Sequence, residues 1–354
     1  MRLLKNLPWR EQKGDVEMSK VIISDVTLRD GSHALSHQLT KAHITAYAKA
    51  ADAAGVPIVE VGHGNGLGAS SLQVGLSLLS DREMLETARE NLFHSRLGIH
   101  VIPGFATINN DLKFAFDYGV DVVRVASHCT EADITERHIS YTREKGKEAY
   151  GVLAMSHMAS KEVLLDEALK MQSYGAEAVI LMDSAGAYIP IDVLEKVGHL
   201  SAHLKIPVGF HAHNNLGMAI ANSVAAVEAG AQMIDGTARG FGAGAGNAQL
   251  EVIVAMFQRL GIKTGIDLYK VLDAADIVEK EIMQSIPYIS SVSLVSGMAG
   301  VFSGFAKHVT LAAKEYGVDP RDIFFELGVR KVVGGEEDKI VEVAMALQEK
   351  QKRG

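Results

Sequence analysis

Two histidines one residue apart close the segment PVGFHAHNN, residues 207–215. The run Ile206–Phe210 before them is apolar and reads as a buried strand. Side chains two apart on a strand share a face, so His211 and His213 would project together from its end. An earlier segment, TLRDGSH at residues 27–33, offers Asp30. One carboxylate and two imidazoles form a ligand set for a divalent cation such as Mn, Fe, Co or Zn, with positions open for water and substrate. The plainer alternative makes the histidines polar residues opening a loop, and Asp30-Gly31 an Asp-Gly turn. Arg29 carries a guanidinium suited to an oxyanion or enolate beside such a cation; a surface ion pair is its plainer reading. His33 offers a neutral imidazole as general base near neutral pH. His37, His63, His100, His128 and His157 compete for that task, and spacing does not choose among them.

These residues need elements to bring them together. Strands are expected at Val21–Leu28, Ile58–Gly62, Arg96–Ile102, Val120–Ala126, Glu148–Met155, Ala178–Met182, Val208–His211 and Met233–Gly236. Helices are expected between them, at Thr40–Ala54, Asp81–Asn91, Ala106–Tyr118, Ile134–Lys145, Lys161–Tyr174, Ile191–Leu204, Gly217–Ala229 and Ala248–Leu260. Thr40 is suited to cap the first helix and Gly55 to end it. Eight strand–helix units over about 240 residues predict a closed α/β TIM (β/α)8 barrel. A doubly wound sheet is disfavoured, because no G-x-G-x-x-G follows the first strand. Sites on this barrel form at the C-terminal ends of the strands. Asp30, His33, His63, His128, His157, Asp183, Ser184, His211 and His213 all fall there. The glycine run Gly240–Asn247 follows the eighth strand, and either cradles a phosphate or packs beneath the metal site. The division expected is an N-terminal extension over residues 1–19, the barrel over 20–262 and a helical C-terminal domain over 263–354.

Composition narrows the function classes. The chain has 354 residues, 47% hydrophobic and 22% charged, with a net charge of −8. No basic patch points to nucleic acid, and no apolar stretch approaches the about 20 residues of a membrane span. One cysteine, Cys129, fits a reducing cytoplasm and excludes a Cys-based metal site.

The motifs resemble those of the 4-hydroxy-2-oxovalerate aldolases, metal-dependent class II pyruvate aldolases. The resemblance runs from about Val21 to Leu347 and is carried by SDVTLRDGSHALSHQLT (24–40), HGNGLGASS (63–71), RVASHCTEAD (124–133), MSHMAS (155–160), MDSAGAY (182–188), GFHAHNNLGMAIANSVAAVEAGA (209–231), GAGAGNAQLEV (242–252) and FELGVRKVVGGEED (325–338). It implies a manganese ion, with magnesium or cobalt as alternatives, held by Asp30, His211 and His213. Pyruvate would chelate the ion, Arg29 would stabilise the enolate and Ser184 would touch the pyruvate carboxylate. His33 would deprotonate the C4 hydroxyl. Cleavage then gives pyruvate and a small aldehyde. An acylating aldehyde dehydrogenase is the implied partner, in an oligomer whose contacts involve the C-terminal helices.

Three positions depart from the family pattern. Phe302 replaces a tyrosine whose hydroxyl reaches the substrate C4 oxygen, which relaxes control of the C4 configuration. Asn214 stands where a third histidine is common. Arg239 stands among small residues, and is expected to bind a second carboxylate or another anion. Two other readings compete. One is a Claisen-type synthase or lyase using an acyl-CoA on the same metal site. The other is a subunit of reduced activity that scaffolds a dehydrogenase, against which the intact Asp30, His211, His213, Arg29 and His33 argue.

Overall fold

The computed structural model describes residues 20–353, so the expected extension over residues 1–19 lies outside the described residues. Runs of aliphatic and β-branched residues form eight parallel strands: β1 (Ile22–Leu28), β2 (Ile58–Val61), β3 (Arg96–Val101), β4 (Val122–His128), β5 (Glu148–Ala154), β6 (Ala178–Asp183), β7 (Val208–Ala212) and β8 (Met233–Gly236). Each pairs with its sequence neighbours, and β8 returns to β1, closing the barrel. The expected TIM barrel is the fold found.

The helices between the strands are α1 (Lys41–Ala54), α2 (Asp81–Arg89), α3 (Lys113–Asp117), α4 (Glu136–Glu144), α5 (Lys161–Ser173), α6 (Pro190–His203), α7 (Ala219–Glu228) and α8 (Leu250–Leu260). Thr40 caps α1 by accepting the His43 N–H, and Gly55 ends it at φ 79°. Both follow from local chemistry: a hydroxyl satisfies a free N–H, and glycine takes the left-handed turn without a Cβ clash. Several boundaries differ from expectation by a residue or more, two of them for a clear local reason. The helix expected at Ala106–Tyr118 opens as a wide π turn over Ile108–Leu112, with Thr107 capping it, before α3 begins. The fourth strand starts at Val122 because Val120 and Asp121 are used in the turn: the Val120 N–H bonds Ala115 O and the Asp121 carboxylate takes the Leu97 N–H. β4 therefore extends to His128 and carries it to the barrel rim.

Two apolar cores surround the strands' two faces. Outward-facing side chains such as Ile23, Val59, Leu97, Val123 and Phe210 pack against the helix ring. Inward-facing Ile58, Val122, Val152, Ile180 and Met233 fill the barrel. Above them lies a charged layer of Glu60, Arg124 and Asp235, all buried. Beyond the barrel come α9 (Leu268–Ile277), α10 (Ser291–Ala299), α11 (Ala306–Tyr316), α12 (Pro320–Val329) and α13 (Asp338–Arg353). Val271, Ala274 and Ala275 of α9 belong to the barrel's outer core. The later helices close around a separate core that includes Phe305, Val309, Phe324, Leu327 and Val343. No helix among the described residues is long and apolar enough to cross a membrane.

Candidate active site

Strand β1 ends at Leu28, and Asp30–Leu35 turns immediately into a tight 3-10 helix. Alternation would have sent Arg29 and Asp30 to opposite sides; the turn sends both into the barrel mouth. There Arg29 Nη1 donates to Asp30 Oδ2 at 2.8 Å and Arg29 Nε to Glu60 Oε1 at 2.5 Å. The third nitrogen of the guanidinium, Nη2, is buried and has no hydrogen-bond partner among the described residues. Arg29 lines a cavity of about 570 Å³ together with Asp30, His33, Ser184, His213 and Phe302.

Strand alternation does place His211 and His213 on one side. Their Nε2 atoms lie 4.0 and 3.9 Å from Asp30 Oδ2. Those separations are too long for hydrogen bonds and suit three donors around one cation. Ligand atoms of all three residues lie within 4.8 Å of one another, and all three side chains are buried. His211 Nε2 has no hydrogen-bond partner among the described residues, while its Nδ1 is paired with Asp235 Oδ2 at 2.9 Å. A carboxylate behind one ring nitrogen fixes the tautomer and aims the other nitrogen at a metal. The donor set fits a divalent transition ion. Burial would raise the Asp30 pKa, but Arg29 and the two histidines outweigh it and hold the carboxyl far below the usual range. Burial pushes His213 down to about 3, against the pull of Asp30. A carboxylate and a neutral imidazole are the forms a cation requires.

Ser184, at the end of β6, accepts the Met155 N–H on its Oγ at 2.9 Å, which leaves its hydroxyl hydrogen free to donate. His33 sits on the 3-10 turn, half-buried. A Cβ on Gly64 would fall 2.5 Å from His33 Nε2, so only a glycine there lets the ring settle. Its edge meets His37, which stacks on His63 at 3.6 Å. His37 and His63 are committed to backbone groups, His37 Nδ1 to Gly64 N–H and His63 Nε2 to Gly75 O. His157 Nε2 is bound to Gly300 O. His128 pairs with Thr130. Phe302 lies edge-on to Phe305 and borders the mouth from the C-terminal helices.

Two functional residues escaped sequence reasoning. Asp235 supports His211 as described; its signal was an acidic residue inside the apolar segment Met233–Gly236. Asn247 donates from Nδ2 to Asp30 Oδ1 at 2.8 Å, steering the other carboxylate oxygen toward the histidines. It ends the glycine run, whose role is packing rather than phosphate binding. The run's N–H groups are used internally: Ala245 N–H bonds Asn215 Oδ1, Gly246 N–H bonds Ala243 O and Asn247 N–H bonds Gly240 O. The expectation that Arg239 binds a substrate anion is corrected. Its backbone turns left-handed at φ 55°, and its side chain pairs with Glu251, Asp276 and Glu279 on the barrel's outer side. Asn214 Oδ1 accepts the Ala219 N–H and opens α7.

Comparison with known proteins agrees with this geometry. Residues 20–278 match the HMGL-like family, and residues 287–349 match the DmpG-like communication domain. A 4-hydroxy-2-oxovalerate aldolase of Spirochaeta aurantia is 64% identical over 94% of this chain and 98% of its own length. The chain belongs to the 4-hydroxy-2-oxovalerate aldolase family. A second member of that family, from Pectobacterium atrosepticum, is 64% identical over 93% of this chain and 96% of its own. Among solved structures, the carboxyl transferase domain of Rhizobium etli pyruvate carboxylase, with pyruvate and biocytin, has a TM-score of 0.78 at 16% identity, covering 94% of this chain and 61% of that one. That likeness speaks to the barrel fold alone. Membership in the aldolase family favours a lyase over the acyl-CoA synthase alternative.

Proposed function

We propose that this chain cleaves a 4-hydroxy-2-oxo acid, such as 4-hydroxy-2-oxopentanoate, to pyruvate and a small aldehyde by retro-aldol chemistry. The observation that carries the reading is the convergence of Asp30, His211 and His213 within 4.8 Å, beside the unpartnered Nη2 of Arg29. A divalent cation held by those three residues, manganese in our reading with magnesium or cobalt as alternatives, would supply Lewis acidity toward the oxygens of a 2-oxo acid. The chain's own groups do the rest. Ser184 donates its free hydroxyl hydrogen to the substrate carboxylate. His33 accepts the C4 hydroxyl proton as the C3–C4 bond breaks. Arg29 Nη2 meets the negative charge that grows on the keto oxygen, where a fixed guanidinium favours the transition state over the ground state. C3 then takes a proton from solvent to give pyruvate, and His33 releases the proton it accepted, so the cleavage balances. Phe302 borders the aldehyde end but offers no hydroxyl.

The communication-domain match supports an acylating aldehyde dehydrogenase as partner, within an oligomer. Phe325, Val329 and Met345 expose apolar surface on α12 and α13 that suits such a contact. A cytoplasmic location completes the reading. In the test, pyruvate released from 4-hydroxy-2-oxopentanoate is coupled to lactate dehydrogenase. Chelator should abolish release and Mn2+ restore it, and His213→Ala should abolish metal-dependent turnover. Full activity in His213→Ala would remove the assigned ligand set. Thiol release from an acyl-CoA and a 2-oxo acid would favour the synthase.

A further inference from the structure

We propose that His100 reads the aldehyde half of the substrate by hydrogen-bonding a second hydroxyl, on the carbon next to C4, so that the preferred substrates are 4,5-dihydroxy-2-oxo acids. This rests on the aldolase reading above.

His100 lies on β3, is 4% exposed and lines the same cavity as Arg29, His213 and Phe302. Its Nδ1 is buried with no hydrogen-bond partner among the described residues. A polar atom buried and unpaired is costly unless something that enters the site satisfies it. Of the other histidines around the mouth, His37, His63, His128 and His157 each commit one ring nitrogen to a backbone or side-chain group, and His33, His211 and His213 are taken up by the base and ligand roles of the aldolase reading. Its strand neighbour Arg124 is engaged by Glu60 and Asp235. Burial, with Arg29 close by and Glu60 opposing, keeps the His100 pKa well below its ordinary value. A neutral imidazole has one donor and one acceptor nitrogen, which matches an alcohol.

The place of His100 in the barrel decides which half it meets. In the closed order, β3 and β7 are separated by β4, β5 and β6 on one side and by β8, β1 and β2 on the other. His100 therefore stands across the barrel from His211 and His213. A 2-oxo acid fixed at its carboxylate end by Ser184 and the ligand triad extends its other end toward β3 and β4. The wall there sets apolar Ile102, Ala126 and Met155 beside polar Ser127, His128, Thr130 and Glu131. An imidazole with a free nitrogen in such a wall selects for a hydroxyl and against an alkyl chain. Phe302, facing the same cavity, supplies no competing polar group.

The test compares cleavage of 4,5-dihydroxy-2-oxopentanoate and 4-hydroxy-2-oxopentanoate with Mn2+, through one pyruvate readout. The full chain is used as wild type, His100→Leu and His100→Gln. Wild type should favour the dihydroxy substrate in kcat/KM by about tenfold or more, the worth of one hydrogen bond made in a dry site. His100→Leu should erase or reverse that ratio, and His100→Gln, which keeps a donor and an acceptor, should retain part of it. The ratio within each variant is insensitive to the fraction of folded protein. A wild-type ratio near one, or an unchanged ratio in His100→Leu, would overturn the assignment. Pyruvate from neither substrate would overturn the aldolase reading, and the role of His100 with it.

Discussion

A buried carboxylate needs partners to stay charged, and Asp30 has three kinds: the Arg29 guanidinium, the Asn247 amide and the two imidazoles. His33 faces the same charges with the opposite result. Burial lowers its pKa first, Arg29 adds to that, and Asp30 only partly opposes. A bound cation would add a further positive charge and push in the same direction. A general base works when unprotonated, so its contribution is present above its pKa and lost as pH falls through it. The acid limb of kcat/KM should therefore lie below 6.5, the ordinary histidine value. His33→Ala should remove that limb and lower kcat by about 10²–10⁴-fold. A pH–rate profile of both proteins checks this. A limb centred above 6.5, or one that survives in the variant, would assign the proton transfer to another group.

At the scale of elements, strand alternation made His211 and His213 legible from their spacing alone, and the same rule failed at Arg29 and Asp30. The difference is where the strand stops: β7 runs through Ala212, whereas β1 ends before Arg29 and the chain turns at once. Periodicity carries no record of that turn. Asp235, Glu60 and Arg124 left a weaker trace, as charges inside apolar strands, but their pairing requires a closed barrel to bring β2, β4 and β8 together. Arg239 misled because a glycine-rich setting after β8 resembles a binding loop, while its true partners Asp276 and Glu279 come from an element beyond the barrel strands. The glycine loop itself can be tested. A Cβ on Gly242 would fall 2.0 Å from Asn247 Nδ2 and 2.7 Å from Asp30 Oδ1. Gly242→Ala must push one of them away. Loss of a group that orients a ligand weakens metal binding by about 10–100-fold, so calorimetric titration with Mn2+ should show a drop of that order. Wild-type affinity would mean that Asp30 keeps its place without the loop's support.

At the scale of the whole molecule, the C-terminal helices complete the barrel mouth. The Ser303 N–H bonds Ser184 O, Gly300 O takes His157 Nε2, and Gln73 reaches Gly335 O and Glu337. These bonds seat Phe302 over the cavity that Asp30 and Ser184 line. Asn215 is the joint that ties most of this together. Fully buried, it donates to Ala185 O after β6 and to Ser303 Oγ in the C-terminal region, and accepts the Ala245 N–H from the glycine loop. An alanine there strands three polar groups from three separate segments, with about 1–3 kcal/mol lost for each buried group left unpaired. Asn215→Ala should therefore unfold at lower denaturant than wild type. It should also be cut faster by protease between residues 283 and 290, where the chain leaves the barrel core for the second core. Because Phe302 rests on the same contacts, KM for the substrate should rise more than kcat falls. Denaturant titration, timed proteolysis and steady-state kinetics on one preparation separate these effects. Lower stability with unchanged proteolysis and unchanged KM would show that Asn215 braces the barrel loops alone and that the C-terminal helices hold their position without it.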